Sequence, residues 1–253
     1  MFKTNGSTHH QGVKNEYATI DLLNKYGVYA EDVSHRGGTK QKADAVAGKK
    51  GISIKHKAGL KNGSFDWVNT SNVNAIIDRT CFDNFFTVLR GARQLPIEQR
   101  EAIVEETRDL FTKCCEKALN SISSEALSKF LQTNITQKQR GYGIVINDTK
   151  HETLHIMEAD RLIMTKCIDA GYPAKLMKGR GKSSRKLVFG GYEEGGIFDL
   201  GLRVRVTSNN GIKAFLGLSK ANKSSQIVIK VQQDDIKEFV KTDLWRRILT
   251  YSA

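Results

Sequence analysis

Apolar side chains recur at helical spacing near the start of the chain. Val13, Tyr17, Ile20 and Leu23 fall on one face of a helix predicted over 12–26, and Gly27 is placed to end it. The pattern then shortens. Residues 28–33 predict a strand, and the glycines that follow Ser34-His35-Arg36 predict a loop. Residues 43–47 and 52–57 predict two short strands, joined by a four-residue turn from Gly48 to Gly51. The Asn, Gly and Ser of 60–72 predict a loop. Helical spacing returns over 72–91, over 97–119 with Pro96 at its start, and over 122–132. Strands follow at 142–146 and 153–156, then a helix near 158–170. The basic run 178–186 predicts a loop. Further strands are predicted near 187–190, 200–207, 212–218 and 226–231, and a last helix over 233–249. Asn210-Gly211 predicts a tight hairpin turn between the strands at 200–207 and 212–218.

Helix, hairpin, helical middle and strand-rich end together predict an α+β fold. The 253 residues suffice for one large domain. The expected layout is a single domain over 1–253, with a core at 12–90, a helical insert at 91–140 and a strand-rich part at 141–253.

Charge narrows the function. The chain has 40 Lys+Arg against 27 Asp+Glu, a net charge of +13. The excess is uneven: 175–230 hold twelve basic and three acidic residues, and 1–57 hold ten and five, whereas 97–130 hold five and seven. Clustered cations predict a face that attracts a polyanion, most often nucleic acid. No apolar run approaches the roughly 18 residues of a membrane span, so no membrane partner is expected. The polar first residues carry no secretory h-region, and the four cysteines have neither disulfide-framework nor zinc spacing. Reduced thiols in a cytoplasmic protein are the expectation.

Candidate chemistry concentrates in 16–57. Asp44 heads an apolar strand, where a carboxylate needs water, a cation or a metal. In the next strand Ile52 and Ile54 share one face, and Ser53, Lys55 and Lys57 the other. A hairpin then gathers a carboxylate, a hydroxyl and an ammonium on one side. An ordinary salt bridge between Asp44 and Lys55 is the bland alternative. Glu16 lies beside the apolar stripe of the first helix, near the end that favours an ionised acid.

Gly12-Val13-Lys14-Asn15-Glu16, Ala43-Asp44 and Ile52-Ser53-Ile54-Lys55 together resemble the PD-(D/E)xK nuclease superfamily, which includes small Type II restriction endonucleases. The resemblance covers residues 12–57. A weaker likeness lies in Arg203 to Thr207, Asn210-Gly211 and the 226–231 strand, and residues 58–198 match no family pattern. It implies a restriction-endonuclease-like mixed sheet flanked by helices, and a divalent-metal-dependent endonuclease cutting double-stranded DNA. Asp44 and Glu16 would hold Mg²⁺, for which Mn²⁺ can substitute. Lys55 would serve the attacking water and the scissile phosphate, and Ser53 a metal-bound water. A homodimer is an admissible assembly. Ala43 stands where the family often has Pro. Ser53 stands where it has Glu or Asp, which keeps open a DNA-binding protein with an inactivated site. A phage-type homing endonuclease or a junction resolvase is a further alternative.

Lys57 and Arg36 near the motif, and Arg203, Arg205 and Lys213 in the basic half, are the expected DNA contacts. In 202–207, Leu202, Val204 and Val206 alternate with Arg203, Arg205 and Thr207, giving one apolar and one basic face. Gly181-Lys182-Ser183 is not a phosphate loop, because that motif needs a glycine where Leu176 stands. His9-His10 reads as a polar tail, His56 as facing away from Lys55, and Trp67 as a buried anchor.

Overall fold

The computed structural model describes residues 6–36, 43–59, 64–136, 142–158, 163–179, 181–190, 196–219, 225–237 and 247–250. The fold is α+β, as expected, with seven α-helices among the described residues, one mixed sheet and one antiparallel sheet. The chain divides into two compact units. One takes residues 1–65, 134–170 and 235–253, the other 66–133 and 171–234.

The first unit is built on α1 (Gly6–Lys25) and a six-stranded sheet of order β1-β2-β3-β5-β6-β11. Its strands are β1 (Val33–His35), β2 (Ala45–Ala47), β3 (Lys50–Lys57), β5 (Tyr142–Asp148), β6 (Thr153–Glu158) and β11 (Arg247–Thr250). Only β3 and β5 run parallel. Ile20 and Leu23 of α1 pack on Val33, Ala45, Ile52, Ile54, Val145, Leu154 and Ile156. Each of the Val, Leu and Ile side chains contributes about 1.5–3 kcal/mol by leaving water. Gly27, at φ +56°, lets the chain turn back, and the Val28 N–H closes on the Leu23 carbonyl. Asn24 then fixes β1, donating to the Val33 carbonyl and accepting from its N–H. The unit also contains α6 (Ile163–Asp169).

The second unit holds an antiparallel sheet of order β4-β10-β9-β8-β7. The strands are β4 (Phe65–Thr70), β7 (Ala174–Lys178), β8 (Ser184–Gly190), β9 (Ile197–Ser208) and β10 (Ile227–Gln233). Its helices are α2 (Asp83–Ala92), α3 (Ile97–Ala102), α4 (Val104–Ser121), α5 (Ser124–Leu131) and the short α7 (Ile212–Phe215). Phe85, Phe111 and Phe215 form an aromatic cluster with ring centroids 5.0–5.7 Å apart.

Several elements differ from expectation for identifiable reasons. The loop expected over 60–72 contains β4, because Phe65, Trp67 and Val68 are buried in a stretch whose polar neighbours hide them. Within 72–91 the first turns are 3₁₀, with Asp78 accepting from the Thr80 N–H, and the α-helix begins only at Asp83. The helix over 97–119 breaks at Ile103 into α3 and α4. The basic run 178–186 includes the end of β7 and the start of β8. Residues after Asn210-Gly211 form α7 rather than a strand, and β9 pairs with β10 instead. Burial of Ile212, Ala214 and Phe215 selects the helical turn. Of the last predicted helix, Gln233 instead ends β10, 236–237 are helical, and residues 247–249 form part of the strand Arg247–Thr250 beside β6. The rest of that stretch, 238–246, lies outside the described residues, as does His9's side chain.

Candidate active site

The β2–β3 connection is a two-residue turn at Gly48 and Lys49, with Ala47 paired to Lys50 and Ala45 to Ile52. Gly48 takes φ +54°, a conformation costly for other residues. This register leaves Asp44 just past the end of the ladder, opposite Ser53. Its own N–H still donates to the Ile52 carbonyl at 2.8 Å. Its carboxylate supplies the next acceptor: Oδ2 takes the Ile54 N–H at 2.7 Å and the Ser53 hydroxyl at 3.1 Å. Asp44 is half-buried, and Oδ1 makes no hydrogen bond to any described residue.

Lys55 follows on the same face of β3 as Ser53. It is half-buried and makes no hydrogen bond or ion pair with any described residue. The salt bridge with Asp44 is not formed. The ammonium is held near the strand end, and it is not spent on the nearest acid.

Glu16 reaches this end of the sheet from the α1 side. Its Oε2 meets His35 Nε2 at 2.9 Å, and Tyr17 stacks on the same imidazole with ring centroids 4.5 Å apart. This explains why Tyr17, expected on the apolar stripe, is 50% exposed. His35 pairs with Ala45, and the Arg36 N–H donates to the Asp44 carbonyl at 3.1 Å. Glu16 thus arrives one residue pair along β1–β2 from Asp44, on the face where Ala45 packs under α1, whereas Asp44 turns to Ser53 on the other face. No side-chain hydrogen bond or ion pair joins the Glu16–His35 pair to the Asp44–Ser53 pair among the described residues. The sequence places His35 in a loop, whereas it ends β1, and its part as Glu16's partner is what sequence reasoning missed. No periodicity signals it, since the two are 19 positions apart.

Carboxylate and hydroxyl oxygens are the hard donors Mg²⁺ takes. Asp44 Oδ1 and Glu16 Oε1 are the oxygens left for such an ion. Among the described residues, however, no group of three or more His, Cys, Asp or Glu side chains converges to hold a metal. The donor set suits a hard cation in chemistry and falls short of a full shell in number.

The remaining candidates are dispersed. Lys57 Nζ donates to the Ser64 carbonyl at 2.8 Å, so it is partly committed. Arg36 is exposed. Arg203, Arg205 and Lys213 lie in the second unit. Arg203 meets Gln232 Oε1 at 3.2 Å and Asp234 Oδ1 at 3.0 Å. Arg205 lies in register between Ser184 of β8 and Lys230 of β10, half-buried, with no hydrogen bond or ion pair to a described residue. Lys213 is exposed on α7. The expected alternation of β9 holds, with Leu202, Val204 and Val206 buried between the half-buried arginines. His56 is exposed and Trp67 buried.

A second ionisable cluster lies on the β5–β6 hairpin. The Asp148 carboxylate is 2% exposed and accepts at 2.6 Å from His151 Nδ1. Burial works to raise its pKa, but hydrogen bonds from His151 and from the Lys150 and Gly59 N–H groups outweigh it and hold the carboxyl below its ordinary value. His155 is buried nearby, and burial lowers its pKa against the opposing pull of Asp148. The spacing Asp-x-x-His in a turn was the available signal.

Comparison of the chain with protein-family models, with curated proteins and with solved structures gave no match. Among the described residues no helix is long and apolar enough to cross a membrane.

Proposed function

We propose that this chain is a divalent-metal-dependent endonuclease that hydrolyses phosphodiester bonds of double-stranded DNA, with a PD-(D/E)xK-like site. The observation that carries the reading is the end of the β2–β3 ladder. There a carboxylate with one oxygen to spare meets a hydroxyl on the face of β3 that also carries the uncommitted Lys55. Asp44 and Glu16 would hold the cation, Mg²⁺ or Mn²⁺. Bound there, the ion would polarise a phosphate oxygen and stabilise developing charge. Lys55 neutralises the phosphate and orients the attacking water. Ser53 restrains Asp44 and presents its hydroxyl oxygen to water. Arg36 and Lys57 lie along the same end of the sheet for backbone phosphates. Arg203, Arg205 and Lys213 supply further cations for DNA. Four buried free thiols suit a cytoplasmic setting.

Plasmid digestion with Mg²⁺ or Mn²⁺ tests the proposal. Cleavage by the wild type, abolished in both Asp44→Asn and Lys55→Ala, is the expected result.

A second reading is favoured by Ser53. Its hydroxyl meets Asp44 where the family would place another acid, and no three-ligand cluster forms among the described residues. A DNA-binding protein without cleavage would bind duplex equally well in wild type and in both variants, and would cut in neither metal.

A further inference from the structure

The parallel pair β3 and β5 ends on one side of the first unit, and in open sheets that side is where ligands gather. Lys57 is in register with Asp148. The Thr149 N–H and hydroxyl both donate to the Lys57 carbonyl, at 2.9 and 3.2 Å. The Gly59 N–H donates to Asp148 Oδ1 at 2.9 Å. The β5–β6 turn is thereby tied to the strand that carries Lys55 and Lys57.

In that turn Asp148 is an acceptor on every side. Oδ1 takes the N–H groups of Gly59, Lys150 and His151, and Oδ2 takes His151 Nδ1. An ionised carboxylate cannot donate, so Nδ1 carries the proton and the ring is fixed in one tautomer. The His151 side chain is 59% exposed, and its Nε2 bonds to no described residue. The buried acid therefore anchors an imidazole whose other nitrogen faces water. When that nitrogen gains a proton, it becomes an outward-directed cationic donor.

The surroundings are cationic. Lys55 and Lys57 precede it on β3, two residues or about 6.6 Å of strand apart. Lys150 lies beside Gly59, with its Cδ 3.2 Å from where a Cβ would stand. Among the described residues, the titratable and charged groups that the strand register, the turn and its hydrogen bonds place near His151 are Asp148 of β5, His155 of β6, Lys57 of β3, and Lys150 and Glu152 of the turn. Of these, Asp148 and Glu152 are the acids, and Asp148 is already saturated with donors. A regular chain of phosphates meets such a row, since two nucleotides of one DNA strand advance about 6.8 Å.

We propose that His151, held by Asp148, is a protonation-gated contact to a nucleic-acid phosphate, extending the track begun by Lys55 and Lys57. This rests on the DNA-binding part of the proposed function and not on cleavage.

The test measures affinity for a labelled mixed-sequence duplex in EDTA, over roughly pH 5 to 8. The chain carries other histidines, so the readout is the difference between wild type and variants. Wild-type affinity should rise on acidification by on the order of three- to tenfold more than that of His151→Gln. His151→Lys should bind tightly with the pH response reduced to that of the Gln variant. At low pH, His151→Gln should also lose about one unit of the slope of log affinity against log salt, which a merely structural histidine would not change. Equal pH response and equal salt slope in wild type and His151→Gln would overturn the proposal. So would a His151-dependent response toward phosphatidylserine vesicles and none toward duplex. If the predicted differences appear and no DNA is ever cut, the nuclease reading fails and this one stands. If DNA is cut and His151→Gln binds like wild type, only this one fails.

Discussion

The Ser53 hydroxyl donates to Asp44 Oδ2 across 3.1 Å, at the point where β2 stops pairing with β3. With the Ile54 N–H on the same oxygen, Asp44 closes a ladder as well as offering a ligand. The two roles separate by substitution. Asp44→Asn keeps an acceptor for Ile54 and should leave thermal stability nearly unchanged. Asp44→Ala leaves that N–H unmet and should cost about 1–3 kcal/mol by denaturant unfolding. Both should abolish metal-dependent cleavage of plasmid DNA.

Ser53→Glu places a second carboxylate against Asp44. Without metal the like charges repel, so the melting temperature should fall. With Mn²⁺ or Mg²⁺ the added charge favours the cation, and titration calorimetry should show affinity kept or strengthened. Weaker metal binding than wild type would mean that Ser53 does not occupy the acidic position of the motif.

Affinity for duplex DNA should fall steeply with salt. Four phosphate contacts give a slope of log affinity against log salt of about −3.6. Arg205→Ala, which removes a guanidinium without an ion-pair partner among the described residues, should reduce the slope by about one. Arg203→Ala should reduce it less, because Asp234 already holds that side chain. A flat dependence would remove the polyanion reading.

Stability should decline on acidification in two windows. Burial holds the His155 pKa below its ordinary 6.5, so the unfolded chain takes the proton first. Stability is therefore full above pH 6.5 and is lost as pH falls below it. Asp148 is held below the ordinary carboxylate value, so its contribution is present above that value and is lost as pH falls further. In urea titrations at stepped pH, His155→Leu should flatten the first decline and leave the second.

The native thiols should react slowly with a disulfide reagent. All four cysteines are buried, and burial raises the pKa of Cys114, Cys115 and Cys167, so little thiolate exists to attack. Complete reaction should follow unfolding.

The sequence exposed what depends on local periodicity. The α1 stripe, its Gly27 stop, Pro96, and the alternation of β9 were legible because each is decided within a turn or two of chain. The Asp44–Ser53 contact was only half legible. A four-residue turn sets Asp44 against Lys55, whereas the two-residue turn sets it against Ser53, and that choice reverses which side chain the acid meets. Glu16–His35 and the link from Lys57 to the β5–β6 turn were hidden because they join distant positions. α7 was misread because Ile212, Ala214 and Phe215 suit a buried strand as well as a buried helical turn, and only packing decides.

Residue 51 finds its parallel neighbour at 142, so the inner strand of the site gains a second hydrogen-bonded flank only after the chain has travelled out through about half of the other unit and back. Closing so wide a loop costs entropy before any contact rewards it. The hairpin holding Asp44 can form early from local sequence, but the frame that stiffens Lys55 and sets Asp148 beside Lys57 must come late. During synthesis, the acid would be present well before the surroundings that give it a purpose.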